Sequence, residues 1–125
     1  MMVPGRERGT NPMTVVEAMK NEHGSMLREL NQAGPTASMD VNEAFLGHLT
    51  DHFAQEEREL YPMAQAAGWT GGSAVTELRY QHQTLRQNFK ESVQNRESWE
   101  RFGQQVREHF SAEELLVFPL VEGQG

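Results

Sequence analysis

The stretch HFAQEERELYP, at residues 52–62, decides the fold, because a second copy, HFSAEELLVFP, stands 57 positions later at residues 109–119. Both copies follow the pattern H-F-x-x-E-E-x-x-x-(Y/F)-P. Side chains four residues apart on a helix lie about 40° apart on one face. Each copy therefore directs a histidine and a carboxylate toward one point, His52 with Glu56 and His109 with Glu113.

The repeat extends upstream of both copies. His23 precedes His52 by 29 residues, and His82 precedes His109 by 27 residues. This arrangement predicts a duplicated pair of helices, in which each pair carries the pattern H…HxxxE.

Composition limits the classes of function. The 125 residues suffice for one domain, and 18 Asp+Glu against 11 Lys+Arg argue against a nucleic-acid partner. Cysteine is absent, so any metal must be bound by nitrogen and oxygen ligands. The sequence has neither an apolar run near the roughly twenty residues of a membrane span nor the apolar core of a signal peptide. We therefore expect a cytoplasmic protein with no membrane partner.

Apolar side chains that recur every three or four residues predict four helices. These span about 14–32, about 40–67 and about 74–94, with a fourth that ends near Pro119. The predicted N-caps are Thr14 and Asp40, each in a capping box, and Ser73 after Gly71-Gly72. Residues 1–13 are predicted to be a flexible leader, 14–121 the bundle and 122–125 a frayed tail.

Four helices with short links predict an all-α fold, an up-down-up-down four-helix bundle with a metal site in the core. A histidine lies near the middle of each inner face, so antiparallel packing brings all four to similar height. Two carboxylates buried among them would cost several kcal/mol each without compensation. Cations bound between them are the simplest remedy, and a buried His–Glu hydrogen-bond network is the alternative.

The candidate metal ligands are His23, His52, Glu56, His82, His109 and Glu113. Six protein donors exceed the three or four that one zinc ion takes, and they suit two ions with bridging carboxylates. Histidine with carboxylate favours iron or manganese over calcium or magnesium. Open positions on such ions invite dioxygen, nitric oxide or peroxide.

Other polar residues near these ligands are given simpler interpretations. Glu57 and Glu114 lie about 100° further round their helices, so we expect them in solvent, with a hydrogen bond to a ligand histidine as the alternative. His48 is expected to be partly exposed or to contact a ligand without binding the metal, with a role as a spare donor as the alternative. Tyr61 is expected to pack, with a hydrogen bond into the metal pocket as the alternative.

Four motifs in order, EH at residues 22–23, HFAQEERELYP, QH at residues 81–82 and HFSAEELLVFP, resemble the hemerythrin-like, or HHE cation-binding, family over nearly the whole chain. The resemblance implies a four-helix bundle with a non-haem di-iron centre. It also implies that the six residues named above are iron ligands, that Glu56 and Glu113 bridge, and that an oxo or hydroxo group joins the two iron ions.

The chain departs from oxygen-carrying hemerythrins, which place a second histidine one turn further along the third helix. Here Arg86 follows His82 at that spacing and Leu78 precedes it. Those carriers also set the last carboxylate five residues after the histidine, where this chain has Glu114 beside Glu113. The four-histidine, two-glutamate set is more similar to the ligand sets of bacterial iron-centre repair proteins and eukaryotic iron-sensing domains than to those of the oxygen carriers.

The expected function is therefore binding of iron and of a small ligand, O2, NO or peroxide, in sensing or storage. One alternative is a di-iron enzyme that reduces peroxide or NO, or an iron donor for repair of iron centres. Another is a partner-binding bundle that metal stabilises. The sequence leaves the oligomeric state open.

Overall fold

A computed structural model describes residues 11–123. Its helices are α1 (Pro12–Gln32), α2 (Met39–Gln55), a π-helical turn (Glu56–Leu60), α3 (Tyr61–Gln65), α4 (Trp69–Ser92), α5 (Arg96–Leu116) and α6 (Phe118–Glu122). The π-helical turn joins α2 and α3 into one long element, and α6 follows α5 after a single residue, Val117. Residues 11–123 contain no strand, so the all-α prediction is confirmed.

Two apolar clusters fill the interior and give the directions of the helices. The first contains Met26, Leu30, Ala33, Phe45, Leu49, Phe53, Leu85, Phe89, Trp99, Phe102, Val106 and Phe110. The second contains Val15, Val16, Met19, Leu60, Tyr61, Ala64, Val75, Leu78, Val117, Phe118 and Val121. The residues of the first cluster come from the C-terminal parts of α1 and α4 but from the N-terminal parts of α2 and α5. The long helices therefore alternate in direction, which confirms the up-down-up-down bundle.

The helices begin earlier than the capping boxes predict. The side chain of Asn11 accepts hydrogen bonds from the backbone N–H of Met13 and Thr14, and Ser38 Oγ accepts one from Val41 at 3.1 Å. Thr14 and Asp40 thus lie inside helices, and their predicted role as caps is wrong. Asn11 and Ser38, three and two residues upstream of the predicted caps, take the role because their short polar side chains are equally good hydrogen-bond acceptors.

The third long helix, α4, also begins before its predicted cap. It starts at Trp69 after Gly68, whose φ of +113° ends the preceding segment, so Ser73 is not the N-cap. The glycine pair there is part of the helix. A Cβ on Gly71 would lie 1.9 Å from the backbone oxygen of Ala64, so glycine permits a close approach of α4 to α3.

The predicted leader at residues 1–13 lies mostly outside the described residues, and its last two members, Pro12 and Met13, begin α1. Within the predicted tail, Glu122 ends α6 and Gly123 forms a turn, while 124–125 lie outside the described residues. Between residues 11 and 123, no helix combines the length and the apolar character that crossing a membrane requires.

Candidate metal centre

The six residues predicted as ligands meet in one polar layer between the two apolar clusters. His23 comes from α1, His52 from α2, Glu56 from the π-helical turn, His82 from α4, and His109 and Glu113 from α5. Each is at most 2% exposed. Their donor atoms form two groups, His23, His52, Glu56 and Glu113, and Glu56, His82, His109 and Glu113, in each of which all atoms lie within 4.8 Å of one another. Both glutamates belong to both groups.

Glu56 lies between imidazoles from three helices. Its Oε2 is 3.0 Å from His52 Nε2 and 3.3 Å from His23 Nε2. Its Oε1 is 3.1 Å from His82 Nε2. This carboxylate thus has one oxygen toward each donor group, as a bridge between two cations requires.

Glu113 occupies the corresponding place on the other side of the layer. Its Oε1 is 3.0 Å from His23 Nε2, and its Oε2 is 3.3 Å from His109 Nε2 and 3.6 Å from His82 Nε2. Glu113 therefore also has one oxygen toward each group. The hydroxyl of Tyr61 donates a hydrogen bond to Glu113 Oε2 as well.

Each of the four histidines is held from outside through its Nδ1 atom. The pairs are His23 with Glu114 at 2.9 Å, His52 with Glu22 at 2.7 Å, His82 with Glu57 at 2.7 Å and His109 with Gln81 at 2.8 Å. An oxygen acceptor at Nδ1 fixes the ring and keeps the proton there, so a neutral imidazole presents its Nε2 lone pair to the interior. All four rings thereby have the orientation that a cation ligand requires.

The expectation that Glu57 and Glu114 are merely solvated is wrong, and the alternative of a hydrogen bond to a histidine is correct. Their side chains remain 34% and 46% exposed, yet each reaches the histidine of a neighbouring helix, His82 and His23 respectively. An offset of about 100° from the inner face points toward the seam between helices rather than away from the bundle.

Glu22 and Gln81, which hold His52 and His109, were not predicted to act in the site. Each immediately precedes an inner histidine, His23 or His82, and each reaches across to the next helix. The sequence signal was a polar acceptor at the same place in both halves. This shared position indicates a hydrogen-bond role like that of the second glutamate in each EE pair of the repeat.

Aromatic packing shows the same internal duplication. Phe53 stacks on His82 with ring centroids 3.9 Å apart, and Phe110 stacks on His23 at 4.0 Å. Phe53 and Phe110 follow His52 and His109 directly in the repeat. The histidine-phenylalanine dipeptide therefore supplies one inner histidine and the apolar wall behind another.

Tyr61 enters the polar layer, so the expectation that it only packs is wrong. Its hydroxyl lies 2.9 Å from His82 Nε2, in addition to its bond with Glu113. On an ideal α-helix a residue five positions after Glu56 would lie about 140° away from it. The π-helical turn changes this, because the Tyr61 N–H bonds to the Glu56 carbonyl five residues back and places the two on one side.

His48 lies outside both donor groups and is half-buried, as expected. Its Nδ1 is 2.8 Å from Glu29 Oε2, and its Nε2 is 3.8 Å from Glu22 Oε2. His48 therefore does not take the place of a spare donor in this structure. It does contact Glu22, the carboxylate that holds His52.

Protons balance the two buried carboxylates when no cation is present. Burial disfavours the charged form of His23, but the neighbouring carboxylates of Glu113 and Glu56 overcome this and raise its pKa to about 10. The same opposing effects raise the pKa of His82 to about 9. For Glu113, burial raises the pKa, but the imidazoles of His109, His23 and His82 beside the carboxylate lower it well below its usual value.

The pKa of the Tyr61 hydroxyl shifts upward, whereas the pKa of the Glu113 carboxyl beside it shifts downward. Burial, together with the negative charges of Glu113 and Glu56, raises its pKa far above the usual value. Its hydroxyl therefore keeps its proton and acts as a hydrogen-bond donor.

Three buried atoms test whether the layer fits cations. No hydrogen bond is made by His52 Nε2, His109 Nε2 or Glu113 Oε1. A carboxylate oxygen or an imidazole nitrogen lies 3.0–3.3 Å from each of them, but the geometry is not that of a hydrogen bond. Buried polar atoms are nearly always satisfied, and these three are the kind of atom that binds iron or manganese. The donor set therefore fits a bound cation better than a closed hydrogen-bond network.

A comparison with known protein families matches residues 14–121 to the Hemerythrin HHE cation binding domain. The chain belongs to this family. The matched residues cover α1 through α6 almost completely, so the HHE domain comprises both halves of the duplication and all six inner donors. Comparisons with curated proteins and with solved structures gave no significant match. As a member of the HHE family, the chain carries a cation-binding domain with buried His and Glu clusters.

Proposed function

We propose that this protein holds two iron ions in the polar layer and binds a small ligand, dioxygen, nitric oxide or peroxide, in sensing or storage. The observation that carries the proposal is that Glu56 and Glu113 belong to both donor groups. Each group adds two imidazoles to the shared carboxylates. Two divalent ions suit this set, because one ion would leave several buried donors without a partner.

The proposed ligands are His23, His52, Glu56, His82, His109 and Glu113. Iron in such a site supplies a redox-active Lewis acid with positions open to a small molecule. The protein supplies charge balance through the two carboxylates and orientation through the four Nδ1 partners. The apolar clusters on both sides of the layer exclude water, and Tyr61 holds a proton beside Glu113.

The third long helix favours sensing or reaction over reversible transport. Leu78 and Arg86 flank His82 at one-turn spacings, so α4 offers one imidazole. A position that lacks a second imidazole is open to an exogenous ligand. We therefore expect reaction with nitric oxide or peroxide and only short-lived, poorly reversible uptake of dioxygen.

Spectra of the anaerobically iron-loaded protein test this proposal after addition of dioxygen, nitric oxide or peroxide. Stoichiometric binding supports a sensor or store, whereas continuing consumption of peroxide or nitric oxide would identify an enzyme instead. Absence of any response, with unfolding when metal is removed, would reduce the metal to a structural role. Long-lived dioxygen binding that is lost in His48→Ala would contradict the open position and make His48 a ligand.

A further inference from the structure

The two ends of the polar layer differ in what holds their histidines from outside. Glu22, Glu57 and Glu114 each offer a carboxylate, whereas Gln81 offers His109 a neutral amide oxygen. A carboxylate that accepts the Nδ1 proton increases the basicity of the opposite ring nitrogen. An amide does so less, because it carries no charge. His109 is therefore the weakest of the four imidazole donors.

A cleft lies beside His109, between α4 and α5. Its volume is about 220 Å³. A single water needs roughly 10–15 Å³ on this scale, so the cleft accommodates a cation with its hydration shell. Gln81 and His109 are among the lining residues, together with Glu77 and Glu108, which contribute negative charge. The residues described as lining the cleft include no lysine or arginine, so its field attracts cations.

The equivalent place beside His52, between α1 and α2, is built differently. His48 stands four residues before His52, where the second repeat has Gln105 in the wall of the cleft. His48 bonds to Glu29 and lies 3.8 Å from Glu22. Glu22, the carboxylate that holds His52, thus lies next to a second imidazole. On this side of the layer the histidine is held by a carboxylate and not by a neutral amide.

We propose that the cleft between α4 and α5 is the route by which a hydrated ferrous ion reaches and leaves the centre, and that the position between His82 and His109 is the exchangeable one of the two. This inference rests on the proposed two-ion centre. The weaker imidazole and the adjacent acidic cleft lie at the same end, so the ion there dissociates first. The ion between His23 and His52 is retained.

Release of iron to a coloured ferrous chelator tests the difference between the two positions. Protein loaded anaerobically with ferrous ions is mixed with excess chelator, and absorbance follows the release. We expect one ion per chain in a fast phase and one in a slow phase. Gln81→Glu should slow the fast phase by about 10- to 100-fold and leave the slow phase unchanged. The reciprocal variant Glu22→Gln should accelerate the slow phase.

A second pair of variants tests the route. Thr84 lines the cleft, and Thr84→Trp should slow both loading and release in the fast phase several-fold while the final amount of bound iron stays the same. Ser25 occupies the equivalent position on α1, two residues after His23 as Thr84 is after His82. Ser25→Trp is the matched control and should leave the fast phase unchanged. Circular dichroism checks that both variants remain helical.

Release of both ions in a single phase that Gln81→Glu does not alter would overturn this inference and leave the two-ion proposal standing. An unchanged fast phase in Thr84→Trp would overturn the route through the cleft. Binding of fewer than two ions by the wild type would overturn the proposed function together with this inference.

Discussion

The hydroxyl of Tyr61 donates a hydrogen bond to Glu113 from the opposite half of the duplication. At the equivalent position of the second repeat stands Phe118, which stacks near His23 but has no hydroxyl. The two halves of the polar layer are therefore similar in their inner histidines and glutamates and different in their proton donors.

Replacing Tyr61 tests what this hydroxyl contributes. Tyr61→Phe should lower the unfolding free energy of the metal-free protein by about 1–3 kcal/mol, because a buried carboxylate loses a donor. The loss should be smaller with metal bound, because a cation then compensates the charge of Glu113. Urea denaturation with and without metal measures both values. Tyr80, which is 65% exposed, provides the control, since Tyr80→Phe should change stability by less than about 0.5 kcal/mol.

The metal-free protein should lose stability as pH rises above neutrality. The pKa values of His23 and His82 rise from 6.5 to about 10 and about 9 in the folded state. Their contribution is therefore fully present below pH 6.5 and is lost as the pH approaches those folded values. The lowered pKa of Glu113 contributes stability above its usual value of 4.5, which is lost as the pH falls. Thermal melting across this range should show maximal stability between about pH 4.5 and 6.5.

Metal binding should depend on pH in the opposite direction, because cations must displace the histidine protons. Apparent affinity should rise between pH 6 and 8, and loading in weak buffer should release protons. A melting temperature of the metal-free protein that increases from pH 6.5 to 9 would contradict this protonation pattern.

The outer carboxylates should each act on one ion. Glu57→Gln should weaken binding at the His82 end by about 10- to 100-fold, and Glu114→Gln should do the same at the His23 end. Isothermal titration with ferrous ion resolves the two events. Glu56→Ala should weaken both, because its oxygens face both donor groups. Equal effects of all three substitutions on both ions would mean that the bridging and outer roles are assigned wrongly.

The glycine pair at the start of α4 tests the packing of the bundle end. Gly71→Ala should destabilise the protein by about 1–3 kcal/mol, because its Cβ would meet the Ala64 carbonyl at 1.9 Å. Gly72→Ala is the matched control, since nothing lies within 4 Å of the added Cβ. It should be neutral or stabilising by up to about 1 kcal/mol, as alanine favours helix. Denaturant midpoints that fall equally in both variants would contradict the close approach.

The sequence was sufficient to predict the bundle and the meeting of the six donors. The duplicated HxxxE pattern sets the phase of both elements, and the single histidines of α1 and α4 lie on apolar stripes that must face inward. Such arguments need only the helical period. They therefore hold even when the predicted helix ends are wrong by several residues, since α4 was predicted to begin at about residue 74 and begins at Trp69.

The remaining features depend on neighbouring helices or on irregular backbone, which a period does not describe. Glu57 and Glu114 have the phase of surface residues, and only the position of the next helix makes them partners of His82 and His23. Tyr61 has the phase of an outward residue until the π-helical turn brings it to the side of Glu56. In both cases tertiary packing overrides the local expectation.

The stoichiometry of bound iron tests the central claim most directly. Protein purified without metal, loaded anaerobically with excess ferrous ion and freed of unbound iron, is analysed for iron per chain. We expect two ions per chain in the wild type and loss of both in Glu113→Ala, with Glu100→Ala, an exposed position on the same helix, retaining two. One ion or none in the wild type, or two ions retained in Glu113→Ala, would contradict a centre built on two shared glutamates.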